Sequence, residues 1–283
     1  MIPLNQLFAD YSIEATAKDA ALLGALGKEP ARPAEVFVPW LPEEGDAARI
    51  AACVAVRAQG FEPVPHISAR RIESLEALDR LLGALRAEAG ATRLFLIAGD
   101  LSRPSGPFSD SLSVIETGLI ERHGFTSVGI AGHPDDHPDV PDEVLWQAMA
   151  DKLAALKARG LAAQVVTQFS FDAQRVVSWL AEVRARGHHV PVRIGIPGPA
   201  GVRVLLRFAT RCGVAASASA VAKYGLSLGR LLGDAGPDRF LVDLGKGLAA
   251  GGLGAVRLHV FPFGGFAKFA GWLGAALQEP ERA

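Results

Sequence analysis

Along the chain, short apolar runs closed by turn residues alternate with longer stretches whose apolar positions recur every three or four residues. The short runs are "DYSIEAT" (10–16), "AEVFVPWL" (34–41), "EPVPHIS" (62–68), "RLFLIAGD" (93–100), "TSVGIAG" (126–132), "AQVVTQF" (163–169), "VRIGIPG" (192–198) and "AVRLHVFPFG" (255–264). Between them lie "DAARIAACVAVRAQG" (46–60), "SLEALDRLLGALRAEAG" (74–90), "DSLSVIETGLIERHG" (110–124), "DEVLWQAMADKLAALKARG" (142–160) and "AQRVVSWLAEVRARG" (173–187). The three- and four-residue spacing predicts helices with one apolar face, and the closing Gly of each suits a left-handed C-terminal cap. The short runs lack strict alternation, which predicts parallel strands buried on both faces. Strand and helix alternating eight times predict an α/β protein, a closed (β/α)8 TIM barrel rather than an open doubly wound sheet. Segment 205–250 is less regular: it predicts two or three helices before the last strand, with "GDAGPDR" (233–239) as an exposed turn. There is no Pro- and Ser-rich linker and no repeat beyond the βα unit, so residues 1–283 read as a single catalytic barrel. The terminal "QEPERA" reads as a solvated end with no regulatory domain attached.

Composition narrows the partners. With 283 residues, 49% of them hydrophobic and 21% charged, the chain has the make-up of a soluble globule. A net charge of -1 gives no electrostatic basis for binding nucleic acid or an anionic membrane, both of which require clustered Lys and Arg. Cys53 and Cys212 are far apart and in no metal-ligand spacing, which argues against a disulfide framework or zinc; both read as small buried hydrophobes. The N-terminal "MIPLNQLFADYSIEA" lacks the basic and apolar segments of a signal peptide, and no stretch approaches the ~18–20 apolar residues of a membrane span. A cytoplasmic protein is the expectation.

In a (β/α)8 barrel the chemistry gathers at the C-terminal ends of the strands. The polar residues there are Glu14, His66, Ser68, Asp100, His133, His137, Thr167, Gln168 and His259. Each has a plainer reading as a helix cap or turn former. Asp172, directly before "AQRVV", reads as a cap. Asp100 follows Gly99 and opens the loop "LSRPSGPFSD" rather than a helix, so its carboxylate is read as a hydrogen-bonding group for a polar ligand. Glu14 lies in an otherwise apolar strand, where burial raises a carboxyl pKa and leaves an acid able to give a proton near neutral pH. "GHPDDHP" (132–138) holds two His and two Asp, but its prolines force an extended loop and no helical HxxxH supports a metal site. "GKGLAAGG" (245–252) lacks the full GxxxxGK[ST] pattern, no GxGxxG follows a strand, and no GxSxG nucleophile turn is present. "RGHHVP" (186–191) reads as a solvated loop.

Taken in order, these strand ends resemble the methylenetetrahydrofolate reductase family from about Ser12 to Phe263. "SIEAT" is similar to that family's Ser-Phe-Glu-Phe, "PHIS" to Pro-His-Leu-Thr, "AGD" to Arg-Gly-Asp, "GHPDDHP" to Tyr-Pro-Glu-x-His-Pro, "TQFSFD" to Thr-Gln-Phe-Phe-Phe-Asp and "LHVFPFG" to His-Phe-Tyr-Thr-Leu-Asn. The resemblance implies a barrel enzyme that reduces 5,10-methylenetetrahydrofolate to 5-methyltetrahydrofolate, with NADH or NADPH as hydride donor and FAD as carrier. Glu14 would be the acid that opens the bridging ring. Asp100 would lie near pterin and flavin, Gln168 would orient the folate, and Phe169 or Phe171 would offer an apolar face to a flat ring. His66, Ala98, Gly99, Asp100, His133 and His137 would line the cofactor side. Three departures accompany the resemblance: Ala98 replaces an Arg, His133 replaces a Tyr, and the Lys pattern that helps hold the FAD phosphates is reduced to Lys152 and Lys157. A pyrophosphate needs donors and positive charge. Three expectations therefore stand side by side: a FAD-linked reductase, a flavin-independent reductase with direct hydride transfer, and a non-catalytic barrel that binds folate or a partner. No ribose-reading acid or arginine follows a recognisable fingerprint, which leaves NADH and NADPH equivalent on this reading.

Overall fold

A computed structural model of the chain describes residues 2–26, 32–41, 43–135, 137–214 and 234–278. The eight expected strands form: β1 (Ser12–Glu14), β2 (Glu35–Val38), β3 (Glu62–Ser68), β4 (Arg93–Ile97), β5 (Ser127–Gly132), β6 (Ala162–Phe169), β7 (Val192–Pro197) and β8 (Val256–Phe261). Each pairs in parallel with its sequence neighbours, and β8 returns to β1 to close the barrel. The molecule is a (β/α)8 barrel.

The amphipathic stretches form the outer ring. Helix Leu75–Ala89 shows the reason: Leu78, Leu81, Leu82, Leu85 and Ala89 lie on one buried face, and the Ser74 hydroxyl accepts from the Ala77 amide at its start. The glycines that close the five predicted helices all have φ between 59° and 83°, in the left-handed region. Helices Asp46–Ala58, Asp142–Ala158 and Ala173–Ala185 follow the sequence reading within two residues.

Two expectations need correction. The single helix expected at 110–124 is two, Ser111–Glu116 and Leu119–Arg122. Thr117 turns its hydroxyl back onto the Val114 carbonyl and Gly118, at φ 75°, ends the first. "GDAGPDR" is not simply an exposed turn: Asp234–Ala235 pairs with Ala200–Gly201 in an antiparallel ribbon, and buried Pro237 starts helix Asp238–Leu248. Of the helices expected across 205–250, Val202–Arg211 and Asp238–Leu248 are described; residues 215–233 and the last five of the C-terminal segment lie outside the described residues.

The barrel interior is layered. At the N-terminal end, Glu35 accepts from Arg93 Nη1 at 2.7 Å, faces Arg193 Nη2 at 3.1 Å and accepts from Gln164 Nε2 at 3.3 Å. Glu35, Gln164 and Arg193 of this ionic floor are buried, and the partners satisfy one another as a buried charge requires. Above it Phe37, Val64, Phe95 and Val166 form an apolar layer of their own, separate from the core between sheet and helices. The third layer, at the C-terminal end, is polar.

Candidate functional site

A cavity of about 450 Å³ opens over that polar layer, within the size range of small-molecule sites. Glu14, the last residue of β1, enters it from one side, with its side chain 21% exposed. Its Oε1 lies 3.7 Å from His66 Nε2 and 3.8 Å from His259 Nε2. Both imidazoles stand edge-on to the apolar layer, His259 at 4.6 Å from the Phe37 ring and His66 at 4.7 Å from Phe95. Burial there removes the water that would stabilise an imidazolium. It pushes His66 down to about 4 and His259 down to about 3. The same desolvation raises Glu14 above the usual carboxylate range. At neutral pH the acid therefore sits between two uncharged rings, and the cost of burial outweighs the pull of His66 towards its ionised form.

Ser12 fixes one of those rings. Its Oγ is 2.8 Å from His259 Nδ1 and 3.4 Å from the Leu258 carbonyl. When Ser12 donates to that carbonyl, Nδ1–H donates to Ser12, and Nε2 is left as an acceptor facing Glu14. His66 Nε2 and Ser68 Oγ are buried with no hydrogen-bond partner among the described residues, although both residues line the cavity. Such groups cost about 1–3 kcal/mol each unless something bonds them.

The end of β6 is bulged: Val166 pairs with Arg193 but Phe169 with Gly195, one residue more on β6 than on β7. Thr167 Oγ1 closes the bulge by accepting from the Gly195 amide at 2.8 Å. Any Cβ at Gly195 would lie 2.5 Å from the Thr167 carbonyl oxygen and 2.8 Å from Gln168. The bulge turns Gln168 into the cavity lining, with its Oε1 accepting from the Phe169 amide and its Nε2 making no hydrogen bond to the described residues. Phe169 and Phe171 go the other way. Both are buried, Phe169 against the edges of Phe261 and Phe263, and of these aromatics Phe261 reaches the cavity, which Trp40 and Phe95 also line. Asp172 caps helix Ala173–Ala185, as its position before "AQRVV" predicts, accepting from the Gln174 and Arg175 amides.

Ala98, Gly99 and Asp100 line the cavity at the end of β4. Gly99 has φ 95°, and a Cβ there would run into Ser68 Oγ. Asp100 is exposed at the rim and gripped by Arg71 through two 2.9 Å hydrogen bonds. His133 and His137, from the loop after β5, meet edge to face at 5.3 Å; burial holds His133 down at about 4. Asp136 of "GHPDDHP" lies outside the described residues.

Trp40, Phe261, Arg211 and Cys212 are among the lining residues that the sequence did not mark as site candidates. Trp40, just past β2, carries the Arg49 guanidinium 3.4 Å above its ring. Phe261 ends β8, and Arg211 and Cys212 come from the end of helix Val202–Arg211. Cys53 is buried as expected, but Cys212 is half-buried and its thiol, raised to about 11 by desolvation, lines the cavity. An aromatic residue closing a strand run was the available signal for Trp40 and Phe261; nothing local marked Arg211.

A side chamber of about 90 Å³ shares Ala131 and His133 with the cavity. Trp146 stacks on Trp179 along its wall, rings 5.9 Å apart, and the Arg186 guanidinium covers Trp146. Lys152 reaches this chamber, its ammonium lowered by burial. Lys157 is exposed in a groove with Leu161, Ala163 and Val190, at the opposite end of the barrel.

Among the described residues no helix is long and apolar enough to cross a membrane. The family profile of methylenetetrahydrofolate reductase matches residues 30–224. A Saccharomyces cerevisiae protein, methylenetetrahydrofolate reductase 2, is 22% identical over 178 residues, which are 59% of this chain and 29% of the yeast protein. The match thus spans less than a third of that relative. An uncharacterised Clostridium thermocellum protein that binds two copies of 5-methyl-5,6,7,8-tetrahydrofolic acid superposes with a TM-score of 0.59 at 12% identity, over 99% of this chain and 97% of the other. Dihydropteroate synthase from Thermus thermophilus, in complex with 6HMPPP, superposes with a TM-score of 0.50 at 17% identity, over 98% of each chain. At these identities the superpositions establish a shared barrel fold. With most of its length matching the family profile, and on the barrel that carries Glu14, Asp100 and Gln168, the chain belongs to the methylenetetrahydrofolate reductase family.

Proposed function

We propose that the protein is an oxidoreductase of folate-bound one-carbon units, interconverting 5,10-methylenetetrahydrofolate and 5-methyltetrahydrofolate with NAD(P)H as the redox partner. The observation that carries this reading is Glu14, a carboxyl whose pKa burial raises, lining the cavity beside two uncharged imidazoles. In the reductive direction Glu14 gives its proton to N10 as the C–N10 bond of the bridging ring breaks, leaving an N5 iminium. A hydride from the nicotinamide reduces that carbon to the methyl group, and NAD(P)+ and 5-methyltetrahydrofolate leave. Run backwards, the carboxylate takes the proton as the ring closes. Gln168 Nε2, His66 Nε2 and Ser68 Oγ supply unfilled hydrogen-bonding positions for the pterin, Phe261 supplies an apolar face, and Asp100 supplies an acceptor at the rim.

The flavin that the family implies does not fit the residues present. A FAD diphosphate needs several donors and positive charge. At this end of the barrel the helix Asp142–Ala158 offers Lys152 alone, desolvated in a chamber of about 90 Å³ walled by stacked tryptophans. Lys157 is at the other end, Arg71 beside Asp100 and Arg175 beside Asp135 are already paired, and Arg211 is a single cation at the rim, too few charges for a diphosphate. We therefore take the hydride to pass directly from nicotinamide to the folate.

The test is an absorption spectrum of the purified protein, followed by anaerobic NADH or NADPH with and without methylenetetrahydrofolate. The expected result is a colourless protein that consumes the nucleotide only when the folate is present. A stoichiometric flavin band that NADH bleaches would overturn direct transfer. Folate binding without turnover would reduce the protein to a binding barrel.

A further inference from the structure

We propose that Arg211 recognises the carboxylate tail of the folate-type substrate and so sets which way round that substrate lies in the cavity. The inference rests on the folate reading above and deepens it. Three of the residues lining the cavity carry a carboxyl or guanidinium group: Glu14, Asp100 and Arg211. Glu14 is held towards its neutral form and Asp100 is neutralised by Arg71. Arg211 is the one Lys or Arg among those lining residues; it is exposed at the rim and makes no hydrogen bond or ion pair with the described residues. Its neighbour Cys212 lies close enough to Glu14 for the carboxyl to bear on its thiol, and all three residues line the same cavity.

The two ends of the cavity thus differ in chemistry. The inner end holds unfilled neutral hydrogen-bonding atoms, His66 Nε2 and Ser68 Oγ, on uncharged or hydroxyl side chains. The rim holds an unneutralised planar cation that suits a carboxylate fork. A folate has the same asymmetry: a neutral, hydrogen-bonding pterin at one end and glutamyl carboxylates at the other. Matching the two puts the pterin inward beside Glu14 and the glutamyl group at Arg211. A dinucleotide phosphate would present the same anionic chemistry, so the experiment must separate the two sources.

Equilibrium binding of 5-methyltetrahydrofolate, of 6-methyltetrahydropterin, which has no benzoylglutamate tail, and of NADH is measured on the wild type, Arg211→Ala and Arg211→Lys, at low and high salt. Thermal unfolding of each variant checks that an exposed rim substitution leaves the fold intact. For a partly exposed charge pair the expected loss for Arg211→Ala is roughly threefold to tenfold in 5-methyltetrahydrofolate affinity, with most of its salt dependence gone. Binding of the tetrahydropterin and of NADH is unchanged, and Arg211→Lys falls between. Unchanged 5-methyltetrahydrofolate binding in Arg211→Ala overturns the proposal while leaving the folate reading in place. Weakened NADH binding with folate binding intact reassigns Arg211 to a phosphate and also overturns it. A wild type that binds no 5-methyltetrahydrofolate removes the folate reading, and the role of Arg211 falls with it.

Discussion

At the scale of single residues, the site is a problem in desolvation. Glu14→Gln keeps the shape and removes the proton, so turnover should fall by about a hundredfold or more while folding is retained; steady-state assay and thermal unfolding check the two halves. Because the Glu14 pKa is raised in the folded state, the native protein binds more protons than the unfolded chain above the ordinary carboxylate range. Its contribution to stability is lost as pH rises through the raised pKa, and Glu14→Gln should match or exceed the wild type in stability at neutral pH. His66 and His259 act in the opposite sense. Their folded pKa values of about 4 and about 3 lie below 6.5, so the unfolded chain binds more protons as pH falls. The cost of keeping them neutral is absent above about pH 6.5 and grows towards pH 4. Urea midpoints measured between pH 7 and 4 should fall, and should fall less steeply in His259→Asn. Glu14 was legible in the sequence because a carboxylate in an apolar strand is conspicuous. The environment that makes it an acid was not, since His66 and His259 are brought to it from strands far along the chain.

At the scale of elements, the bulge in β6 decides where Gln168 points. Gly195→Ala should be destabilising by about 1–3 kcal/mol, and it should weaken 5-methyltetrahydrofolate binding by more than that loss of stability explains, because relieving the contact moves the Thr167–Gln168 backbone. Chemical denaturation and binding measured on the same protein separate the two effects. Asp172→Ala should cost about 1 kcal/mol through its lost cap and leave turnover nearly unchanged. The cap could be read from "FDAQRVV" because capping is a local bond, made to amides two and three residues on. The bulge could not, because it exists only as a mismatch between β6 and β7. For the same reason Phe169 and Phe171, which sit in the stretch that resembles the family motif, are turned into the core while Phe261 takes the cavity face.

At the scale of the whole molecule, the barrel is closed below by charge and above by the polar site. Glu35→Ala would leave Arg193 buried without its carboxylate and should cost about 3–5 kcal/mol, the usual penalty for breaking a buried pair; denaturant unfolding measures it, and a change near zero would show the floor to be dispensable. Periodicity, closing glycines and the polar residue at each strand end determined, from the sequence alone, eight strands, the helices between them, a barrel, and the candidates Glu14, His66, Asp100 and Gln168, because those signals depend on neighbours within one element. Tertiary structure alone decided which of them share a cavity, that Arg71 grips Asp100, that Arg211 and Cys212 join the lining, and that Lys152 and Lys157 lie at opposite ends of the barrel. Those outcomes depend on register around the closed sheet and on where helices end, quantities set by contacts between segments many tens of residues apart and written in none of them singly.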